Sequence, residues 1–349
     1  MTRIEDLETP VPVVDLDVVE RNLAKMQAYA DAHRLRLRPH IKTHKLPRFA
    51  QRQMALGAVG VTCQKLGEAE VMADAGLDDI LISFPLIGPA KALRLAALAR
   101  RVTTLQVAAD SLAALDTAAQ AARESGRPVG VLIEFDSGAR RTGVGSVAEA
   151  VALAHAARER GLRCDGLMTY PAGPAAAEFI AAAKLADAGL TNFSAGGTPN
   201  ARRMHEVPGV TEMRVGTYIY HDRTIIGFGA ATLDECALHV HATVVSRPTP
   251  DRAIVDAGSK TLSSDLLPPG LGTGYGLLLE YPDAAIERVN EEHGMVDLSA
   301  CERRPEIGER VRIVPNHVCV VTNLHDEIVL SRGGVAREIV SVAARGRTR

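Results

Sequence analysis

Tryptophan is absent from the 349 residues, and aromatic residues as a class make up only 3%. Stacking surfaces for bases need several clustered aromatic faces, so no nucleic-acid partner is expected. Neither sign of charge dominates. The 40 Lys and Arg stand against 42 Asp and Glu, and a formal net charge of −2 leaves no electrostatic footprint for a polyanion. No window of about 18 apolar residues runs free of charge, and no charged segment followed by an apolar one opens the chain, so neither a membrane span nor a leader is expected. The five cysteines, Cys63, Cys164, Cys236, Cys301 and Cys319, are odd in number and contain no CxxC pair. That speaks against a secreted disulfide framework and for a reducing, cytoplasmic compartment.

What is present suits small-molecule chemistry on a sizeable core, with 46% apolar residues. The length fits an α/β barrel of about 250 residues plus a smaller domain. Over 15–34, Leu16, Val19, Leu23, Met26 and Tyr29 recur every three or four residues behind Asp15, which reads as a capped amphipathic helix. Short apolar runs at 35–42, 58–64, 79–84, 104–109, 129–136, 165–170, 192–197 and 212–220 then alternate with Ala-rich helical windows, several closed by a glycine such as Gly76, Gly126, Gly161 or Gly189. Eight strands alternating with helices place the chain in the α/β class as a (β/α)₈ barrel. The rival, a doubly wound open sheet, needs a Gly-rich loop after its first strand, and RPHIKTHK has none.

Beyond about Gly227, strand-like segments at 237–246, 253–256, 310–314, 318–324 and 327–331 lie between turn signals such as Gly333-Gly334, giving a second, mostly β domain. The first dozen residues, with Pro10 and Pro12, can add an edge strand to it. The expected division is 13–226 for the barrel, with 1–12 and 227–349 forming the β domain. The basic stretch 345–349 reads as a frayed tail.

Strand ends face the mouth of an α/β barrel, so candidate chemistry is sought there. In RPHIKTHK, Lys42 and Lys45 both qualify as Schiff-base amines, with a solvated surface lysine as the plain alternative. The seventh strand ends in SAGGTPN, where glycines allow close approach of an anion to backbone N–H groups; an ordinary turn has the same composition. Phosphate plus lysine points to pyridoxal phosphate. Tyr170 ends the sixth strand and Tyr218 or Tyr220 the eighth, while Arg140 and Arg141 follow the fifth. In PNHVC, His317 and Cys319 are two apart, so on a strand they share a face and can offer imidazole and thiolate to a metal. Glu291–Gly294 and His325-Asp326 are further candidates that a solvated loop explains equally well.

In order along the chain, TPVPVVDLD, RPHIKTHK, GVTCQKLGEAEVMADAG, SAGGTPN, RVGTYIYHD, VDAGSKTLSSD, NEEHG and PNHVC resemble the D-threonine aldolase and D-serine dehydratase group of pyridoxal-phosphate enzymes, of fold type III with an alanine-racemase-type barrel. The resemblance covers nearly the whole chain. It implies that Lys42 carries the cofactor as a Schiff base, that Gly196, Gly197 and Thr198 cradle its phosphate, and that Arg141 and Tyr170 lie close to its ring; Tyr218, from its place at the end of the eighth strand, is a further candidate cofactor contact. It also implies a divalent metal on His317 and Cys319, with water or substrate completing the shell. A thiolate ligand favours zinc, whereas a carboxylate would suit manganese or magnesium.

The implied partner is a small D-amino acid with a 3-hydroxyl, and the implied assembly is a homodimer. The HxC pair tips the reaction towards dehydration to a keto acid and ammonia; retro-aldol cleavage to glycine and an aldehyde is the alternative. A racemase using Tyr275 or Tyr281 as a second base, and a non-catalytic cofactor carrier, are more distant readings. One departure stands out: relatives show a glycine–histidine pair after the strand-six tyrosine, and here Tyr170 is followed by Pro171-Ala172-Gly173-Pro174.

Overall fold

In the computed structural model, which describes residues 3–349, eight short parallel strands lie in one sheet. Their spatial order is Arg36–Leu37, Glu212–Arg214, Asn192–Gly196, Arg163–Tyr170, Gly130–Asp136, Thr104–Ala109, Asp79–Ile82 and Val61–Cys63. The two ends of that order also meet. Past Leu37, His40 bridges Thr62 in parallel, Thr62 N–H donates to Pro39 O at 2.7 Å, and Ile41 N–H donates to Thr62 O at 2.9 Å. The other side of the same segment is tied to the eighth strand, Arg38 N–H to Met213 O at 3.0 Å and His40 N–H to Val215 O at 2.8 Å. The sheet therefore closes on itself as the (β/α)₈ reading requires.

The barrel strands are buried almost throughout, as expected of a parallel sheet covered on both faces. Leu81, Ala108, Leu132 and Met168, from four successive strands, meet in one buried cluster. Helices follow the strands, and local chemistry sets their ends. Ser146 and Glu149 form a reciprocal capping box ahead of Val147–Glu159, and Gly126 takes the left-handed conformation that closes Leu112–Ser125. This compact unit comprises Lys25–Lys42, Leu46–Gly216 and Gly346–Arg349. The last of these pieces corrects the expectation of a frayed tail: Arg349 O accepts Gly67 N–H at 2.9 Å and Arg94 Nη2–H at 3.2 Å. A Cβ on residue 67 would stand 2.8 Å from that oxygen, so the glycine is what admits the chain there.

The second unit comprises the chain up to Ala24, Thr43–Lys45 and Thr217–Arg345. Its nine-stranded sheet runs Ala285–Val289, Gly294–Asp297, Arg252–Val255, Leu238–Thr249, Val11–Asp15, Glu327–Arg332, Val335–Ser341, with Arg310–Pro315 pairing Leu238–Thr249 and carrying Gly276–Leu278. Two sequence expectations change here. Val11–Asp15 is an interior strand, antiparallel to Leu238–Thr249 and parallel to Glu327–Arg332. Pro12 is tolerated because two-sided pairing begins only at Val13. The segment Val318–Leu324 is an α-helix, not a strand. Among the described residues, no helix is long and apolar enough to cross a membrane.

Candidate active site

Lys42 follows the barrel-closing segment and is half-buried. Its N–H donates to His40 Nδ1 at 3.4 Å, and His40 Nε2 lies 3.0 Å from Gln64 Oε1 and 3.2 Å from Ser83 Oγ, so the backbone leading into Lys42 is fixed by residues at the ends of Val61–Cys63 and Asp79–Ile82. Lys45, by contrast, is buried, and its Nζ donates to Ala344 O at 3.4 Å. Of the two sequence candidates, Lys42 is therefore the better placed to serve a ligand.

Gly196 ends its strand, and Gly197, at φ +121, turns the chain into the short helical segment Thr198–Glu206. A Cβ on either glycine would stand 3.4 Å from the Tyr170 ring, so two bare positions let backbone and ring pack together. The first N–H groups of a helical turn lack intrahelical partners, which makes such a start suited to phosphate. Arg141 lies with Cζ 5.2 Å from the Tyr170 ring centroid. The structure thus brings Arg141, Tyr170, Gly196 and Gly197 together, with buried Thr198 next in chain. Beneath them, burial pulls Arg214 down to about 10 and pushes the Glu134 carboxyl up, the latter opposed by Thr142, Arg214 and Arg141. Tyr218 belongs to the other unit and is 1% exposed.

In that second unit His317 is the N-cap of the helix Val318–Leu324 and Cys319 lies in its first turn. The two side chains still meet, although not as neighbours on a strand face: the Cys319 thiolate, more than Asp222, pushes His317 up to about 11 against the opposing effect of burial. Asp222 Oδ2 lies 3.2 Å from His317 Nδ1 and accepts Val318 N–H at 3.1 Å, while Oδ1 accepts Ile225 N–H at 2.9 Å. Cys319 Sγ lies 3.1 Å from Thr43 Oγ1 and 3.9 Å from Thr217 Oγ1. Thr43 is the residue after Lys42.

An imidazole and a cysteine sulfur side by side are donor types suited to zinc. Among the described residues, no cluster of three or more His, Cys, Asp or Glu has the arrangement to enclose a metal.

The remaining polar candidates are committed elsewhere. Glu291 and Glu292 both pair with Lys260, at 2.7 and 2.8 Å, His293 is exposed, and His325 Nε2 lies 3.3 Å from Thr261 O. Tyr281 OH donates to Glu309 Oε1 at 2.6 Å, and burial with Glu309 pushes it up to about 12, so it is a poor base. Sequence patterns do not single out Asp222 and Arg214, although both lie in RVGTYIYHD, nor Thr43, which lies inside KTHK.

Comparison with known proteins addresses the family and the fold. The alanine racemase N-terminal domain family matches residues 14–224, and the putative serine dehydratase domain matches 237–331. A D-threonine aldolase from Arthrobacter sp is 37% identical, over 98% of this chain and 94% of its own length. A D-threo-3-hydroxyaspartate dehydratase from Delftia sp. is 34% identical, over 90% of this chain and 91% of its own. The crystal structure of D-threonine aldolase from Filomicrobium marinum superposes with a TM-score of 0.87 at 35% identity, covering 98% of this chain and 97% of that one. With a barrel family spanning more than half its length and such relatives along nearly all of it, the chain belongs to the D-threonine aldolase and D-serine dehydratase family of pyridoxal-phosphate-dependent lyases, on the alanine-racemase-type fold.

Proposed function

We propose that this enzyme dehydrates a D-3-hydroxy amino acid to a keto acid and ammonia, with pyridoxal phosphate on Lys42 and zinc on His317 and Cys319. The observation that carries this reading is the meeting of the His317 imidazole with a cysteine thiolate, and not a carboxylate, at the start of one helix. Two solved variants of a D-threo-3-hydroxyaspartate dehydratase support it. One replaces a histidine and the other, in a metal-free form, a cysteine, and those positions are two apart as His317 and Cys319 are.

Pyridoxal phosphate supplies an electron sink for charge developing at the substrate Cα. Zinc supplies a Lewis acid for the substrate 3-hydroxyl. Gly196, Gly197 and Thr198 would hold the phosphate through backbone N–H groups, with Tyr170 and Arg141 closing over the ring. Lys42 would hold the cofactor through its amine, and the same amine, when free, is the base placed to take the substrate Cα proton. Proton and hydroxyl leave together as water, and hydrolysis of the released enamine gives keto acid and ammonia.

The 37% identity to a D-threonine aldolase favours a second reading in which the same residues serve cleavage of the Cα–Cβ bond. The holoenzyme is tested on D-serine, D-threonine and D-threo-3-hydroxyaspartate, with and without chelator. Keto acid with ammonia, lost on chelation, is the expected result. Glycine with an aldehyde selects the aldol reading, and turnover indifferent to chelator removes the metal from either.

A further inference from the structure

His317 stands just outside the regular helix, at φ −143 and ψ 104, with its side chain 37% exposed, so helix packing alone does not set the direction of its ring. Asp222 does. Its side chain is fully buried. One oxygen caps the helix Arg223–Gly227 through Ile225 N–H, and the other takes Val318 N–H, 96 residues further along the chain. The latter oxygen is also the one 3.2 Å from His317 Nδ1. With two backbone N–H groups donating to it, the carboxylate serves as an acceptor, so Nδ1 keeps its hydrogen and Nε2 is the nitrogen that would give up its proton to a metal.

We infer that Asp222 is the positioning residue of the metal pair: it selects the nitrogen His317 offers and fixes the ring that offers it. This rests on the metal reading above and extends it to a residue that touches neither metal nor substrate. The arrangement follows the general rule that a carboxylate behind a ligating histidine sets its tautomer and orientation. Capping and positioning are separable, because a cap needs only an oxygen near its own helix, whereas positioning needs the reach to His317.

Asp222→Asn places an NH₂ donor where acceptors are required; Asp222→Ser keeps a capping oxygen for its own helix and gives up the reach. In the cofactor-loaded protein, zinc affinity measured by chelator competition is expected to fall about 10–100-fold in both variants. In zinc-loaded protein with ¹⁵N-labelled histidine, the His317 Nδ1–H signal is expected to lose its protection from solvent exchange. Thermal unfolding of the metal-free variants reads the capping role separately. Lowered Tm with zinc affinity unchanged overturns the proposal, as does full Nδ1–H protection in both variants. If Asp222→Asn does not fold, Asp222→Ser carries the same two readouts. Parent protein that takes up no zinc brings down the metal reading and this role together, whereas normal uptake by parent and variants alike brings down only the role of Asp222.

Discussion

The barrel and the β unit each contain a buried polar network, and the two networks end differently. In the barrel, Glu212 accepts Arg38 Nε–H at 3.1 Å and Ser194 Oγ–H at 2.6 Å; Ser194 accepts Arg214 Nε–H at 2.9 Å, and Arg214 Nη2–H reaches Thr169 O at 2.8 Å. At the other end Arg38 meets Asp79. These links run from protein atom to protein atom and tie strands in register. In the β unit the network runs from Asp222 to His317, and on the metal reading proposed above it ends at an imidazole and a cysteine sulfur that would meet a cation. Buried charge alone does not distinguish chemistry from scaffolding. What a network does at its last atom distinguishes them.

The strongest way to break this contrast is at the lysine. Lys42→Ala is expected to abolish the visible absorbance of the cofactor–lysine Schiff base and to lower turnover by ~10³-fold or more, since general-base transfer alone contributes about 10²–10⁴-fold. A variant with normal spectrum and rate would remove Lys42 from the chemistry. Next, Arg214→Met cuts the closed network where it is fully internal. Leaving its partners buried should cost about 3–5 kcal/mol of stability, read by urea denaturation, and a loss as small as an exposed pair would give contradicts the scaffolding role.

The smallest expected effect comes from acid and concerns the β unit. Burial holds His239 and His241 down to about 4 from 6.5, helped by Arg312, while Glu280 opposes it at both and Asp15 at His239. Both imidazoles are neutral in the folded and unfolded chain above pH 6.5, so nothing is lost there. Between about 6.5 and 4 the unfolded chain takes up protons that the folded chain refuses, and stability falls with falling pH. Tm should therefore drop across that window, and His239→Gln should flatten the drop; an equally steep drop in the variant would sink the assignment.

How much of this is legible in the sequence follows from the range of the interactions involved. Each of the eight barrel strands falls within or overlaps an apolar run read from the sequence, because strands buried on both faces are written locally as such runs. The SAGGTPN turn is legible for the same reason, its meaning following from its place after the seventh strand. VCVV reads as a strand from its β-branched residues, yet it opens a helix whose first N–H, on Val318, is taken by Asp222, distant in sequence. Val335–Ser341 is hidden even though the turn before it is plain: its residues are largely exposed, so no apolar run marks it, and only the positive φ of Gly333 and Gly334 would signal the hairpin. Asp222 and Arg214 cannot be assigned roles from periodicity, since their partners lie in other strands and helices.

The segment that closes the barrel also leads straight into Lys42, and its hydrogen bonds go to Thr62 on one edge of the strand order and to Met213 and Val215 on the other side alike. The backbone before the lysine is consequently held in place only when the whole ring of strands is complete. On the role proposed for Lys42, cofactor uptake would then double as a reporter of folding: apoprotein that colours on addition of pyridoxal phosphate is expected to have finished its barrel, and chains stalled short of closure are expected to stay colourless.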